Sequence, residues 1–232
     1  MTKPKQGPTR TLKTMMTYCP PVTILGTGRN GSTYISKVLR HAGIDCGHEE
    51  WWTPYIKREK FQLDADSSVF GYPFVSNEFQ SDFTYEGIVL TQVRDPLKTI
   101  SSLAAVGDGG FMAGNYPDDL IWVHHLVREP RMSFIQDPVY NSAWWWLQTT
   151  RKCLDVSSEW WRVEDIDGPL LQQICKWAGW TVDLERCEAA VAEVATDTHK
   201  HAYDTKQLTW EDIPESLRTD CQKLAKELGY ER

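Results

Sequence analysis

Two stretches of the sequence combine glycine, basic and hydroxyl residues at spacings suited to binding an anion. The first is Gly26-Thr-Gly-Arg-Asn-Gly-Ser-Thr33, which follows a short β-branched apolar run. A glycine-rich turn between a strand and a helix presents backbone N–H groups and the positive helix end to an anion. The charge of Arg29 adds to this field. The candidate anion-binding residues of this stretch are Gly28, Arg29, Asn30, Gly31, Ser32 and Thr33.

The second stretch begins at Arg94, which closes another apolar run and is followed by Asp95 and Pro96. Ser102 comes eight residues after Arg94, about two turns into the helix that Pro96 predicts. A guanidinium can bind a phosphate through two parallel hydrogen bonds, and a nearby hydroxyl can add another. The alternative is that Arg94 pairs with Asp95 and that Ser102 lies on a solvated helix face.

The first stretch departs from the phosphate loop of nucleotide triphosphatases at one position. The spacing fits GxxxxGK[ST], but Ser32 stands where the lysine of that motif belongs. Because that lysine binds the β- and γ-phosphates, an ordinary kinase or ATPase is disfavoured. A tight turn that binds no ligand remains the alternative for this stretch.

The apolar pattern predicts the elements that position these residues. Short apolar runs predict buried strands at 22–26, 88–93 and 160–163. Helical spacing predicts helices at 32–42, 97–104, 169–178, 184–194 and 217–228. Buried strands that alternate with helices indicate an α/β fold, with three αβα layers around a central parallel sheet, and such sheets bind ligands at the carboxyl ends of their strands.

Three further regions complete the predicted organisation. Residues 1–21 are predicted to form a flexible leader, and residues 22–232 a single domain. A stretch rich in Gly, Pro and Asp at 107–138 interrupts the alternation of strands and helices. It predicts a lid or a substrate-side insertion, with a helix near 118–127.

Composition excludes several classes of function. The 232 residues include 25 Lys and Arg against 32 Asp and Glu, a formal charge of −7 that argues against bulk nucleic-acid binding. No run approaches the roughly 18 apolar residues of a membrane span, so we expect no integral membrane segment. The N-terminus lacks the apolar core of a signal peptide. Six scattered cysteines without a CxxC pair favour a reducing, cytoplasmic location and no metal site.

Together, the two stretches resemble the sulfotransferases that use 3′-phosphoadenosine-5′-phosphosulfate (PAPS), in particular bacterial and phage-type members. In that family a P-loop-like strand–loop–helix binds the 5′-phosphosulfate, and an Arg-x-Pro element with a serine eight residues after the arginine binds the 3′-phosphate. The resemblance assigns residues 28–33 to the first element and Arg94 with Ser102 to the second. A third family signature is echoed by Arg162-Val-Glu-Asp-Ile166. The resemblance implies a P-loop-like sulfotransferase fold.

The resemblance also implies the reaction. PAPS would be the co-substrate, no metal would be required, and the acceptor would be a hydroxyl or amine of a small molecule, glycan or lipid. Arg29 replaces the lysine of the cytosolic enzymes and becomes a catalytic candidate that would neutralise the transferring group. Val163 replaces a tyrosine that contacts the adenine in some members. A P-loop kinase-like phosphotransferase and a catalytically inactive nucleotide-binding protein remain alternatives.

The candidates for the catalytic base come from Gly47-His48-Glu49-Glu50-Trp51-Trp52. In related enzymes this segment faces the active site, so the resemblance makes Glu49 the first candidate, Glu50 the second and His48 the third. A solvated acidic turn is the alternative. The adjacent His124 and His125 are predicted to be structural.

Overall fold

A computed structural model describes residues 21–48, 64–68, 87–105, 137–194 and 206–230. Within these residues, five strands form one sheet in the order β2-β3-β1-β4-β5, and every neighbouring pair is parallel. The strands are β1 (Val22–Leu25), β2 (Cys46–His48), β3 (Ala65–Ser68), β4 (Ile88–Val93) and β5 (Glu159–Arg162). The α/β class and the parallel sheet expected from the sequence are therefore confirmed.

The described residues contain six α-helices. They are α1 (Ser32–His41), α2 (Pro96–Ala104), α3 (Pro138–Val156), α4 (Gly168–Trp177), α5 (Leu184–Glu193) and α6 (Glu215–Glu227). Four of them begin after an aspartate whose carboxylate accepts a backbone N–H from the first turn, which stabilises a helix start by about 1 kcal/mol. These aspartates are Asp95, Asp137, Asp167 and Asp183.

The helices cover both faces of the sheet. On one face, α1, α4 and α5 pack over a buried cluster that includes Ile24, Leu90 and Trp161. On the other face, α2, α3 and α6 pack over a cluster that includes Val93 and Trp146. Leu90 and Val93 belong to opposite clusters because side chains alternate between the two faces of a strand. This arrangement is compatible with three αβα layers.

The structure adds two strands and a helix to those that the apolar pattern predicts. Strand β3 has the sequence Ala-Asp-Ser-Ser and contains no apolar run, yet it lies between β1 and β2. Helix α3 begins at Pro138, where the predicted insertion ends. The leader through residue 20 and most of the insertion, including its predicted helix and His124 and His125, lie outside the described residues. The single-domain assignment stays a prediction.

The five cysteines in the described residues are free thiols and are fully buried. They are Cys46, Cys153, Cys175, Cys187 and Cys221. Burial raises the pKa of Cys153, Cys175 and Cys221 to about 12. Since the thiolate is the reactive form, these side chains act as small apolar core groups.

We therefore predict that a Cys19→Ser variant exposes no reactive thiol while it is folded. With Ellman's reagent at about pH 8, a thiol of pKa about 12 is thiolate in only about one molecule in ten thousand. The native variant should show no fast reaction, and denaturant should release the five thiols together. A thiol that reacts before the unfolding transition would contradict this packing.

Candidate functional site

The carboxyl ends of the neighbouring strands β1 and β4 form a crevice, because the chain leaves these two strands toward opposite faces of the sheet. From β1 the chain runs to the edge strand β2 and returns to β3, which lies between β2 and β1, and it then crosses to β4 and β5 on the other side of β1. The helices that follow β1 and β4 lie on opposite faces. Ligands of open α/β sheets bind in such a crevice. We call residues 26–33 and 94–102 the β1–β4 crevice; they contain both candidate stretches.

The loop after β1 has a conformation that few residues adopt. Arg29 has φ 70° and Gly31 has φ 91°, so both lie in the left-handed region. Gly31 is the N-cap of α1, and a Cβ built there would lie 3.1 Å from a methyl carbon of Val163. Glycine at this position therefore relieves backbone strain and leaves room for β5 and the turn after it. Val163 belongs to the segment Arg162-Val-Glu-Asp-Ile166, so this segment contacts the loop at Gly31.

Buried hydrogen bonds attach the loop to the centre of the sheet. Gln92 in β4 donates from Nε2 to the backbone carbonyl of Asn30 at 2.8 Å, and Asn30 donates from Nδ2 to the backbone carbonyl of Gln92 at 3.0 Å. Trp161 donates from its indole nitrogen to Gln92 Oε1 at 3.2 Å. The side chain of Asn30 is 1% exposed, so it braces the loop from the protein side.

Gly26 makes this brace possible, because a Cβ there would fall 1.5 Å from Asn30 Nδ2. Gln92 and Trp161 belong to this network although neither was predicted as part of the site. The signal was present in β4, where Gln92 is an amide in a strand that is otherwise apolar except for Thr91 (Ile-Val-Leu-Thr-Gln-Val). A buried amide needs hydrogen-bond partners, and here those partners are the candidate loop and the neighbouring strand.

The second stretch contacts the first through Arg29. Arg29 donates from Nε to Ser102 Oγ at 2.9 Å, and Arg94 donates from Nη1 to the backbone carbonyl of Arg29 at 2.9 Å. Ser102 is half-buried, and the Asp95 carboxylate caps α2 by accepting the N–H of Lys98. The structure thus brings two guanidinium-bearing residues and a hydroxyl together in the β1–β4 crevice.

His48 reaches the same loop from the edge of the sheet. Its Nε2 lies 2.9 Å from Ser32 Oγ and 3.1 Å from Thr33 Oγ1, at the N-terminal turn of α1. Of the three candidates for the base, His48 is the one that the structure describes. Glu49 and Glu50 follow it directly and lie outside the described residues.

The C-terminal segment closes the crevice on the β5 side. Glu164 accepts the backbone N–H of Asp95 at 2.9 Å and the hydroxyl of Tyr230 at 2.8 Å. Burial, followed by the Glu164 charge, raises the pKa of Tyr230, so this hydroxyl keeps its proton and remains a donor. Arg162 lies 5.5 Å from the centre of the Tyr230 ring. These residues tie β4, β5 and the C-terminal segment together.

A cleft of about 260 Å³ lies beside this junction. Its lining includes Lys98, Trp210 and Tyr230. The carboxylate of Glu164 also lines it, and both of its oxygens already accept hydrogen bonds from the protein. Glu164 therefore joins the start of α2 to the C-terminal segment at this cleft.

Comparisons with known proteins find no family model that matches the chain and no curated protein that matches it. In the part of the chain that the structure describes, no group of three or more His, Cys, Asp and Glu side chains could hold a metal ion. None of the helices described there combines the length and apolar character needed to cross a membrane.

We predict that Gln92→Leu lowers the free energy of unfolding by about 2–4 kcal/mol. The substitution introduces an apolar side chain of similar size and leaves the Asn30 carbonyl and the Trp161 indole N–H buried without their partner. Urea denaturation measures the loss. Gln172→Leu is the matched control, since Gln172 makes one hydrogen bond to the Val182 carbonyl at a half-buried position, and we expect a loss of about 1 kcal/mol. Equal losses in the two variants would show that the hydrogen bonds of Gln92 stabilise the fold no more than one half-buried hydrogen bond does.

Proposed function

We propose that the chain is a PAPS-dependent sulfotransferase with a P-loop-like fold, acting in the cytoplasm on a hydroxyl or amine of a small molecule, glycan or lipid. The observation that carries the proposal is the contact of Arg29 with both Ser102 and Arg94. PAPS carries two anionic groups, the 5′-phosphosulfate and the 3′-phosphate, at a distance fixed by the ribose. A site for it must hold two sets of donors at a fixed separation, and Arg29 joins the two candidate sets.

In this proposal the loop after β1 binds the 5′-phosphosulfate. Gly28 and Gly31 allow the nucleotide to approach the backbone, and Ser32 and Thr33 add hydroxyl donors. Arg94 and Ser102 bind the 3′-phosphate. Arg29, which lies between the two sets, neutralises charge that develops on the transferring group. Asn30 contributes through the backbone geometry that its buried side chain stabilises.

The proposed reaction is a direct transfer of the sulfuryl group. The acceptor oxygen or nitrogen forms a bond to sulfur while the bond from sulfur to the bridging phosphate oxygen breaks. The electron pair of that bond stays on the phosphate of the released 3′-phosphoadenosine-5′-phosphate (PAP). A base takes the acceptor proton, and Glu49, Glu50 and His48 are the candidates for that role, in that order. The proposal requires no metal.

Two alternatives to this proposal remain, of which one differs in its ligand and the other in turnover. A kinase-like phosphotransferase would bind ATP with Mg²⁺, although Ser32 replaces the lysine that this chemistry uses. An inactive nucleotide-binding protein would bind PAP without turning over PAPS. A thermal-shift comparison separates the kinase-like alternative from the other two proteins, because a ligand at about 100 times its Kd stabilises the folded state by about 2.7 kcal/mol. Turnover of PAPS separates the sulfotransferase from the inactive protein. We expect PAP to raise Tm and ATP with Mg²⁺ to leave it unchanged.

Arg94→Ala is expected to weaken PAP binding by about ten- to a hundredfold, because it removes a charged partner of the 3′-phosphate. Adenosine 5′-phosphosulfate lacks the 3′-phosphate, so its affinity should change by less than about threefold. Isothermal titration calorimetry with both nucleotides gives the two ratios.

Arg218→Ala is the matched control for this test. Arg218 also donates to backbone carbonyls, those of Ile213 and Glu211, but it lies on α6. Its loss should leave both affinities unchanged. If Arg94→Ala weakens both nucleotides equally, the substitution has disturbed the loop through the Arg29 carbonyl, and the assignment of Arg94 to the 3′-phosphate is wrong.

Glu49→Gln is expected to slow sulfuryl transfer by about 10²–10⁴-fold, since the amide keeps the size of the side chain but cannot accept the proton. PAP affinity should not change, because the base faces the acceptor. Glu50→Gln is the parallel variant, and the larger loss of rate identifies the base. Parent rates in both variants would exclude this acidic pair from catalysis.

A further inference from the structure

The contact between His48 and the loop restricts where the hydroxyl hydrogens can point. A single ring nitrogen, Nε2, lies within hydrogen-bond distance of both Ser32 Oγ and Thr33 Oγ1. Each hydroxyl has one hydrogen to donate and oxygen lone pairs that accept. Nε2 either carries a hydrogen or offers one lone pair, depending on the tautomer.

The two tautomers have opposite consequences for an anion at the N-terminus of α1. If Nε2 is the acceptor, a hydroxyl that bonds to it turns its hydrogen toward the imidazole, and an oxygen lone pair then faces the anion. If Nε2 carries the hydrogen, it donates to the hydroxyl oxygens in a shared, three-centre arrangement. Both hydroxyl hydrogens are then available to the anion.

We infer that His48 is a positioning residue of the donor site, which holds the Ser32 and Thr33 hydroxyls as donors to the 5′-phosphosulfate by donating to their oxygens from Nε2–H. This inference rests on the proposed function and assigns a role to His48 within it. The imidazole acts through the two hydroxyls and does not itself contact the nucleotide.

This role conflicts with His48 acting as the base through Nε2. A nitrogen that carries a hydrogen and donates it to two hydroxyls has no lone pair in the ring plane with which to take a proton from the acceptor. The two acidic residues that follow His48 are thereby left as candidates for the base. His48 instead fixes the geometry in which the transferring group is bound, which is a preorganising effect.

The position of the hydrogen is measured directly by NMR of the ¹⁵N-histidine-labelled full chain. In the complex with PAP, whose 5′-phosphate takes the place of the phosphosulfate, the Nε2 signal of His48 should have the chemical shift of a protonated ring nitrogen. His48→Gln identifies the signal by its loss. An unprotonated Nε2 in the PAP complex would overturn the inference.

Two substitutions test the role by binding. His48→Leu removes the donor and should weaken PAP about tenfold or more, the equivalent of one lost hydrogen bond to the bound state. His48→Gln places an amide N–H₂ near the position of Nε2 and should recover most of that loss. His41→Leu is the control, since His41 lies at the last turn of α1, where it contacts Glu193, and its replacement should not change PAP affinity.

A double-mutant cycle shows whether His48 acts through the hydroxyls. In a Ser32→Ala, Thr33→Val background, His48→Leu should cause almost no further loss of PAP affinity. A full, additive loss there, or parent affinity of His48→Leu in the parent background, would overturn the inference while the sulfotransferase proposal stands. If the parent chain itself does not bind PAP, the proposed function fails and the inference fails with it.

Discussion

The hydrogen bonds of Gln92 are the interactions on which the geometry of the crevice depends. This side chain is 1% exposed in the central part of a parallel sheet, where an unsatisfied amide would be costly. It satisfies itself by binding the loop after β1 on one side and Trp161 of β5 on the other. The loop, β4 and β5 are therefore fixed relative to one another by a network that is shielded from water.

A second constraint is the left-handed backbone of Arg29. A residue with a Cβ pays about 1 kcal/mol or more for this conformation, and the cost persists only where surrounding contacts impose it. Here Arg94 binds its carbonyl and Ser102 binds its side chain. Because protein contacts already hold the loop in this shape, binding an anion there loses little conformational entropy through ordering of the loop. The same contacts concentrate two positive charges in one crevice of an acidic chain, where their field favours an anion.

The C-terminal segment contacts the carboxyl edge of the sheet beside β5. Glu164 connects the start of α2 to Tyr230, and Arg162 lies against the Tyr230 ring. The residues after α6 thus stabilise the carboxyl ends of β4 and β5, the strands that carry Arg94 and the Gln92 brace. The helices on the two faces bury separate apolar clusters against one sheet, and the crevice lies at the carboxyl edge of that sheet.

The apolar pattern predicted the α/β class, the strands β1, β4 and β5 and five of the six described helices, because apolar periodicity is a local feature of the chain. The sequence by itself also identified Arg29, Arg94 and Ser102 as candidates, since their types and spacing are local too. Only the tertiary structure decided that Arg29 contacts both of the others, that Gln92 braces the loop and that His48 reaches Ser32 and Thr33. These contacts join residues 15 to 73 positions apart, and β3, which has no apolar run, is a strand because its neighbours pair with it. No local pattern encodes such contacts, because they depend on strand order and register.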